Sequence, residues 1–257
     1  MSNSESADGM RVVVTGATTG LGRAMAAALT AAGARVVVTG RNRERAEATA
    51  RELGQAAVGL GLDVRDEQSV AVLVDAVCDR FGCIDMLVNN AGIGMRTVNP
   101  NFLTEPQPFW KVPPHGFRDV IDTKMTGVFL VARAVAPLML DAGSGRIVNI
   151  SMNTRTMTLP GFVPYGPAGA GVEALSRIMA VDLAGTPVTV NMLLPGGATA
   201  TGMVPGHISP EVRAGLLDSS IMGPPIVWLA SAAAKDVHDE RIIATEFDDW
   251  LARRTQV

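Results

Sequence analysis

The sequence predicts an α/β domain: a doubly wound sheet of about seven parallel strands with helices on both faces. Three observations carry this. Short apolar runs, most of them rich in valine, alternate with stretches of helix-forming residues along the chain. The first run is joined to its helix by a glycine-rich turn, 15–22. The 257 residues are 47% hydrophobic and 18% charged, which suits one domain with a large core.

Bulk properties narrow the function. The net charge is −3 and the pI is near 5.6, which argues against a nucleic-acid or anionic-membrane surface. Cys78 and Cys83 make neither a disulfide framework nor a zinc set, and reduced thiols are expected. Residues 1–10 are polar, lack a signal-peptide pattern and are expected to form a flexible tail ahead of a single domain, 11–257. No apolar run nears the ~20 residues of a membrane span, so a cytoplasmic protein is expected. Neither a repeat nor a low-complexity tract is present.

Val12-Val13-Val14 reads as a short buried strand, and residues 23–32 as a helix rich in alanine. Between them lies Thr15-Gly-Ala-Thr-Thr-Gly-Leu-Gly22. Strand, glycine turn and helix together present backbone N–H groups to a phosphate. Gly16 allows the tight turn, Gly20 the approach of a pyrophosphate, and Gly22 close helix–strand packing. The spacing is Gly-x3-Gly-x-Gly. Preceded by Thr15, it resembles the short-chain dehydrogenase/reductase family, whose fold is Rossmann-like. The resemblance runs from Arg11 to Thr245. It implies that Gly16, Thr18, Thr19, Gly20, Leu21 and Gly22 hold the coenzyme diphosphate.

Residues 35–39 form the second strand, around Val36, Val37 and Val38, and end at Gly40-Arg41-Asn42. The resemblance places this end at the adenosine ribose. NAD-preferring members have Asp where Gly40 stands. Arg41 suits a 2′-phosphate, so NADP(H) is expected over NAD(H), with Arg41 and Asn42 as contacts. Arg43, Arg45 and Arg51 are assigned to the solvated face of the helix 41–53. Residues 56–62 are the third strand. Asp63 and Val64 follow, as adenine contacts by resemblance, or Asp63 as the cap of helix 67–81. Residues 84–89 are the fourth strand, ending in Asn89-Asn90-Ala91-Gly92, a strong family mark. There an amide ties strand ends together, while Ala91 and Gly92 leave room for ribose.

Residues 94–116 hold five prolines, which exclude regular helix or central strand. This insertion is read as a lid or pocket wall, or as a plain surface loop, with His115 a possible pocket residue. Residues 117–140 form a long helix, 145–151 the fifth strand, 164–184 a helix and 188–194 the sixth strand. Pro195 and Gly196 then turn toward the nicotinamide by resemblance, with Thr199 or Thr201 as its polar contact. Residues 202–220 are a short substrate-side segment, 224–233 the last helix, 241–245 the seventh strand and 246–257 a polar tail.

The resemblance implies a catalytic tyrosine, a lysine four residues later, a serine thirteen residues earlier and an asparagine on the long helix. Tyr165, the sole tyrosine, stands at the first place. Gly169 replaces the lysine, Met152 the serine and Lys124 the asparagine. Losing the lysine stem is expected to leave a hole beside the nicotinamide ribose. Lys124, reaching in from the long helix, is the candidate to restore the charge near Tyr165. Ser151 and Asn153 are the candidates to bind the substrate oxygen. Met95, Phe102, Trp110, Met152, Leu159, Phe162 and Met203 suggest an apolar pocket.

The expected activity is NADP(H)-dependent hydride transfer on a small-molecule carbonyl/alcohol pair. Two alternatives stand beside it: a lyase, isomerase or aldol-type catalyst using Lys124, and a non-catalytic nucleotide-binding member. A homotetramer through helices 117–140 and 164–184 is expected by resemblance.

Overall fold

The computed structural model describes residues 6–206 and 208–254. Seven parallel strands lie in the order β3-β2-β1-β4-β5-β6-β7. They are β1 (Arg11–Val14), β2 (Arg35–Gly40), β3 (Ala57–Gly61), β4 (Met86–Asn89), β5 (Gly145–Ile150), β6 (Val188–Leu194) and β7 (Arg241–Ile243). The single-domain, Rossmann-like doubly wound sheet read from the sequence is what the chain forms.

Strand alternation decides which layer each valine enters. Val12, Val14, Val36, Val38 and Val88 face one core, built with α1 (Gly20–Ala31), α2 (Arg43–Leu53), α9 (Gly223–Ala230) and α10 (Phe247–Arg254). Val13, Val37, Leu87 and Ile147 face the other, built with α3 (Glu67–Phe81), α5 (Gly127–Asp141) and α7 (Tyr165–Asp182). Both faces are covered, so the strands can be apolar throughout. The order in which successive strands are laid down reverses between β1 and β4, and a crevice opens at their carboxyl ends.

Several expectations change. Residues 6–10 are docked: Ala7 is fully buried and its N–H donates to the Ala32 carbonyl. Residues 1–5 of the expected tail lie outside the described residues. The tail 246–257 contains α10, where Phe247 is 6% exposed and stacks on Trp250 at 6.0 Å, while Trp228 packs edge-on against both. The cap of α3 is Asp66, which accepts the Gln68 N–H. Asp63 instead accepts from Arg65, Nη2 at 2.7 Å. The proline-rich segment makes single turns at Met95–Thr97 and Phe109–Lys111. Helix α4 (Pro114–Ile121) begins inside it, because proline is tolerated at a helix's first position. The expected substrate-side segment, 202–220, contains the short helix α8 (Pro210–Ala214), and a single turn, α6 (Thr154–Met157), stands between β5 and α7.

Helix α4 runs through one π-helical turn, Asp122–Thr126, into α5. The resulting 28-residue stretch is long and apolar enough to cross a membrane. That differs from the expectation that no apolar run nears the length of a membrane span. Half of its most apolar window is buried, and Val131, Val135 and Met139 lie in the core shared with β4 and β5.

Candidate active site

The glycine turn is pinned from below. Thr15 Oγ1 accepts the N–H groups of Asn90 and Ala91, each at 2.9 Å. The Asn90 amide donates to the carbonyls of Thr15 and Gly16, at 2.9 and 3.1 Å. Asn90 therefore ties strand ends together, as its placement suggested. Gly16 has φ +64°, and a Cβ there would sit 2.8 Å from Ala91 Cα. A side chain at Gly22 would run into the Asn90 amide and the Gly16 carbonyl. Deeper in the sheet, Asn89 donates to Asn149, which donates to Ser176 Oγ, at 2.9 and 2.8 Å.

A cleft of about 720 Å³ opens above this turn. Gly16, Thr18, Thr19, Gly20, Leu21 and Gly22 line one end, with Arg41, Asp63 and Val64 beside them. Asn90, Ala91 and Gly92 line the middle. Lys124, Ser151, Asn153, Tyr165, Pro195 and Thr199 line the other end. Helix α1 opens without a side-chain cap and has no acid in its first turn, so its N–H groups are free for an anion.

Two expected residues do not line the cleft. Asn42 caps α2, its Oδ1 accepting the Arg45 N–H at 2.8 Å. Gly196 packs toward Thr245 and Ile243, and its carbonyl accepts the Asn153 amide at 2.9 Å. Arg45, assigned to the solvated face, is exposed and also lines the cleft with Arg41. Arg41 precedes the Asn42 cap, and Arg45 follows it in the first turn of α2. Neither makes an ion pair among the described residues. A Cβ on Gly40 would meet Thr18 Cγ2 at 2.8 Å, so any side chain there would have to move Thr18. Thr201 lies against Gly20, and Thr199 Oγ1 donates to the Gly197 carbonyl at 3.2 Å.

At the chemical end, Lys124 sits in the π turn, 8% exposed. Its Nζ lies 5.2 Å from the Tyr165 ring centroid, over the face of the ring. The amine thus stands against the ring face of Tyr165. No carboxylate pairs with Lys124 among the described residues, and burial lowers its pKa to about 8. Burial also raises the Tyr165 phenol above its ordinary value. The phenol oxygen is 3.8 Å from Met203 Sδ.

The expected hole is filled. A Cβ on Gly169 would lie 2.7 Å from Met152 Sδ and still closer to its Cε, so the thioether occupies the space a side chain at 169 would need. Ser151 is committed elsewhere. Its hydroxyl donates to Glu173 Oε1 at 2.5 Å, and Glu173 is held by Arg241 Nε at 2.8 Å. Arg241 also donates to the Met152 carbonyl at 2.9 Å. Of the expected apolar residues, Met95, Phe102, Met152, Leu159, Phe162 and Met203 line the cleft. Trp110 is 71% exposed and does not, and His115 is exposed on α4.

Residues 10–210 match the family model for short chain dehydrogenase. The chain belongs to the short-chain dehydrogenase/reductase family. It is 34% identical over 211 residues to a 3-oxoacyl-[acyl-carrier-protein] reductase of Haemophilus influenzae, with 82% of each protein covered. It is 36% identical over 191 residues to D-threitol dehydrogenase of Mycolicibacterium smegmatis, covering 73% of this chain and 70% of that one. Among solved structures it superposes on a 7α-hydroxysteroid dehydrogenase complexed with NADH and a 7-oxo bile acid. The TM-score is 0.83, with 28% identity and 95% of each chain covered. A Brucella melitensis 3-ketoacyl-(acyl-carrier-protein) reductase complexed with NADH gives 0.82 at 27% identity, covering 93% and 97%. These short-chain relatives are reductases and dehydrogenases.

Proposed function

We propose that this short-chain dehydrogenase/reductase transfers hydride between NADP(H) and a small carbonyl/alcohol pair. The observation that carries the reading is Tyr165, facing the same cleft as the glycine turn, with a buried ammonium over its ring. Relatives complexed with NADH support a nicotinamide coenzyme. When bound, that coenzyme supplies or accepts the hydride.

The residues present fit it. The uncapped start of α1 and the glycine turn suit a diphosphate. Arg41 and Arg45, with glycine rather than an acid at position 40, suit a 2′-phosphate and favour NADP(H). Asp63 is engaged with Arg65, beside Val64 at the adenine end. Tyr165 gives its phenolic proton to the substrate oxygen in reduction and takes it back in oxidation. The Lys124 ammonium favours the phenolate in that exchange. Asn153 holds the turn at Gly196, and Thr199 stands beside it for the nicotinamide end. The methionines and the Phe102–Phe162 pair, 5.5 Å apart, make an apolar wall against water.

The test is direct. Titrate NADPH and NADH by fluorescence, then follow turnover with a panel of carbonyl compounds. Tyr165→Phe is expected to lower kcat at least ~100-fold while leaving NADPH affinity within ~3-fold. Arg41→Ala is expected to narrow the preference for NADPH over NADH by ~10-fold, the scale of one charge-assisted hydrogen bond. Failure of the wild-type protein to bind either coenzyme would overturn the reading.

The outer faces of α5 and α7 expose Phe129, Leu140, Ile178 and Val181. Association of copies through these faces, as a homotetramer, belongs to the same proposal.

A further inference from the structure

The chain has three lysines, Lys111, Lys124 and Lys235. Lys111 and Lys235 are exposed, and Lys235 lies 3.8 Å from Asp236. Lys124 differs in every respect. The π turn buries it, its stem passes Gly92, and its side chain lines a cleft walled by Met95, Met152 and Met203. No acid pairs with it among the described residues. Among the described residues, the titratable side chain beside its ammonium is Tyr165, whose ring face lies 5.2 Å from Nζ and whose hydroxyl opens on the same cleft.

We propose that Lys124 captures ketones and aldehydes in this cleft as an imine and thereby exchanges their α-protons. The activity goes beyond hydride transfer, since no coenzyme takes part. The Nζ lone pair forms a bond to the carbonyl carbon. The C=O π electrons pass to oxygen, which takes the Tyr165 proton, and the nitrogen returns a proton to the phenolate. The C–O bond then breaks, the nitrogen lone pair completes C=N, and the oxygen leaves as water with the phenol's proton. Amine plus carbonyl gives imine plus water, and nothing is oxidised or reduced. The protonated imine makes the adjacent C–H acidic. Tyrosinate removes that proton, giving an enamine, and the reverse step takes a proton that has exchanged with solvent.

Burial supports both roles. A neutral amine is the nucleophile. With a pKa of about 8, roughly a quarter of Lys124 is neutral at pH ~7.5, against about a thousandth for a lysine at the ordinary 10.5. The raised Tyr165 phenol is kept protonated and ready to donate. Met152 matters too. By filling the space beside Gly169 it keeps the pocket around Lys124 apolar.

The experiment uses the full chain without coenzyme. Cyclohexanone and sodium cyanoborohydride are added at pH ~7.5, and the three lysines are followed by peptide mapping. Lys124 is expected to be alkylated at least tenfold faster than Lys111 or Lys235. In D2O without borohydride, NMR is expected to show α-hydrogen exchange of cyclohexanone above the buffer rate. That exchange should fall to the buffer rate in Lys124→Arg. Alkylation of Lys124 no faster than at the exposed lysines, or exchange that persists in Lys124→Arg, would overturn the proposal. If Lys124→Arg fails to fold, the wild-type map decides alone. Coenzyme titration of the same sample is a separate readout, so loss of this activity leaves the hydride reading standing.

Discussion

Lys124 sits in the fold under tension between charge and burial. Its folded pKa is about 8, below the ordinary 10.5, so the unfolded chain binds more protons between those values. Its contribution to stability therefore improves as pH rises from about 8 to 10.5. Turnover is expected to move the other way. In the proposed hydride step the ammonium assists the Tyr165 phenolate, and that help is lost as Lys124 deprotonates. The kcat/KM profile is expected to fall above pH ~8, and in Lys124→Arg the falling limb should move up by at least one unit. A profile unchanged by that substitution would remove Lys124 from the hydride step. At this scale the sequence was partly legible. Tyr165 stood out as the sole tyrosine, at the place the resemblance implies, and Lys124 as a lysine where the resemblance implies an asparagine. Arg45 was not, because its direction depends on where the first turn of α2 begins.

Between elements, the decisive pair is Met152, just after β5, and Gly169 on α7. Their contact explains why restoring one family residue alone is not a repair. Gly169→Lys must displace the thioether, and overpacking of this kind costs about 1–3 kcal/mol. The single variant is expected to lose several degrees of Tm without gaining rate. Met152→Ser with Gly169→Lys should recover the Tm and raise kcat, as thermal melts and steady-state assays can check. The separate residues were visible in the sequence, but their collision was not. They are distant in the chain, and only the packing of a strand end on a helix brings them together. Periodicity did well where an element is apolar along its length. The bounds of α3 and β6 agree with their readings. It failed for α10, where Phe247 is buried and Trp250 half-buried among two aspartates and two arginines.

For the whole molecule, alternation of strands and helices, together with the family resemblance, was enough to anticipate a parallel sheet covered on both sides. The neighbour order, which sets β1 beside β4 and opens the cleft there, is a property of the assembled chain. The same holds for the outer surface. Val181 is 72% exposed and Ile178 57%, on one side of α7. A Val181→Glu change is expected to shift sedimentation from the assembled species toward the monomer while leaving the melting transition of the fold intact. An unchanged sedimentation profile would exclude this face from the assembly.

The Ser151–Glu173–Arg241 chain has a consequence for how the protein could change. A hydroxyl lies in reserve under the cleft floor, and one carboxylate withholds it. Glu173→Ala would release that donor into the cleft that Tyr165 also lines, with Arg241 still held by the Met152 carbonyl. New chemistry in this scaffold could thus begin with a deletion rather than an acquisition.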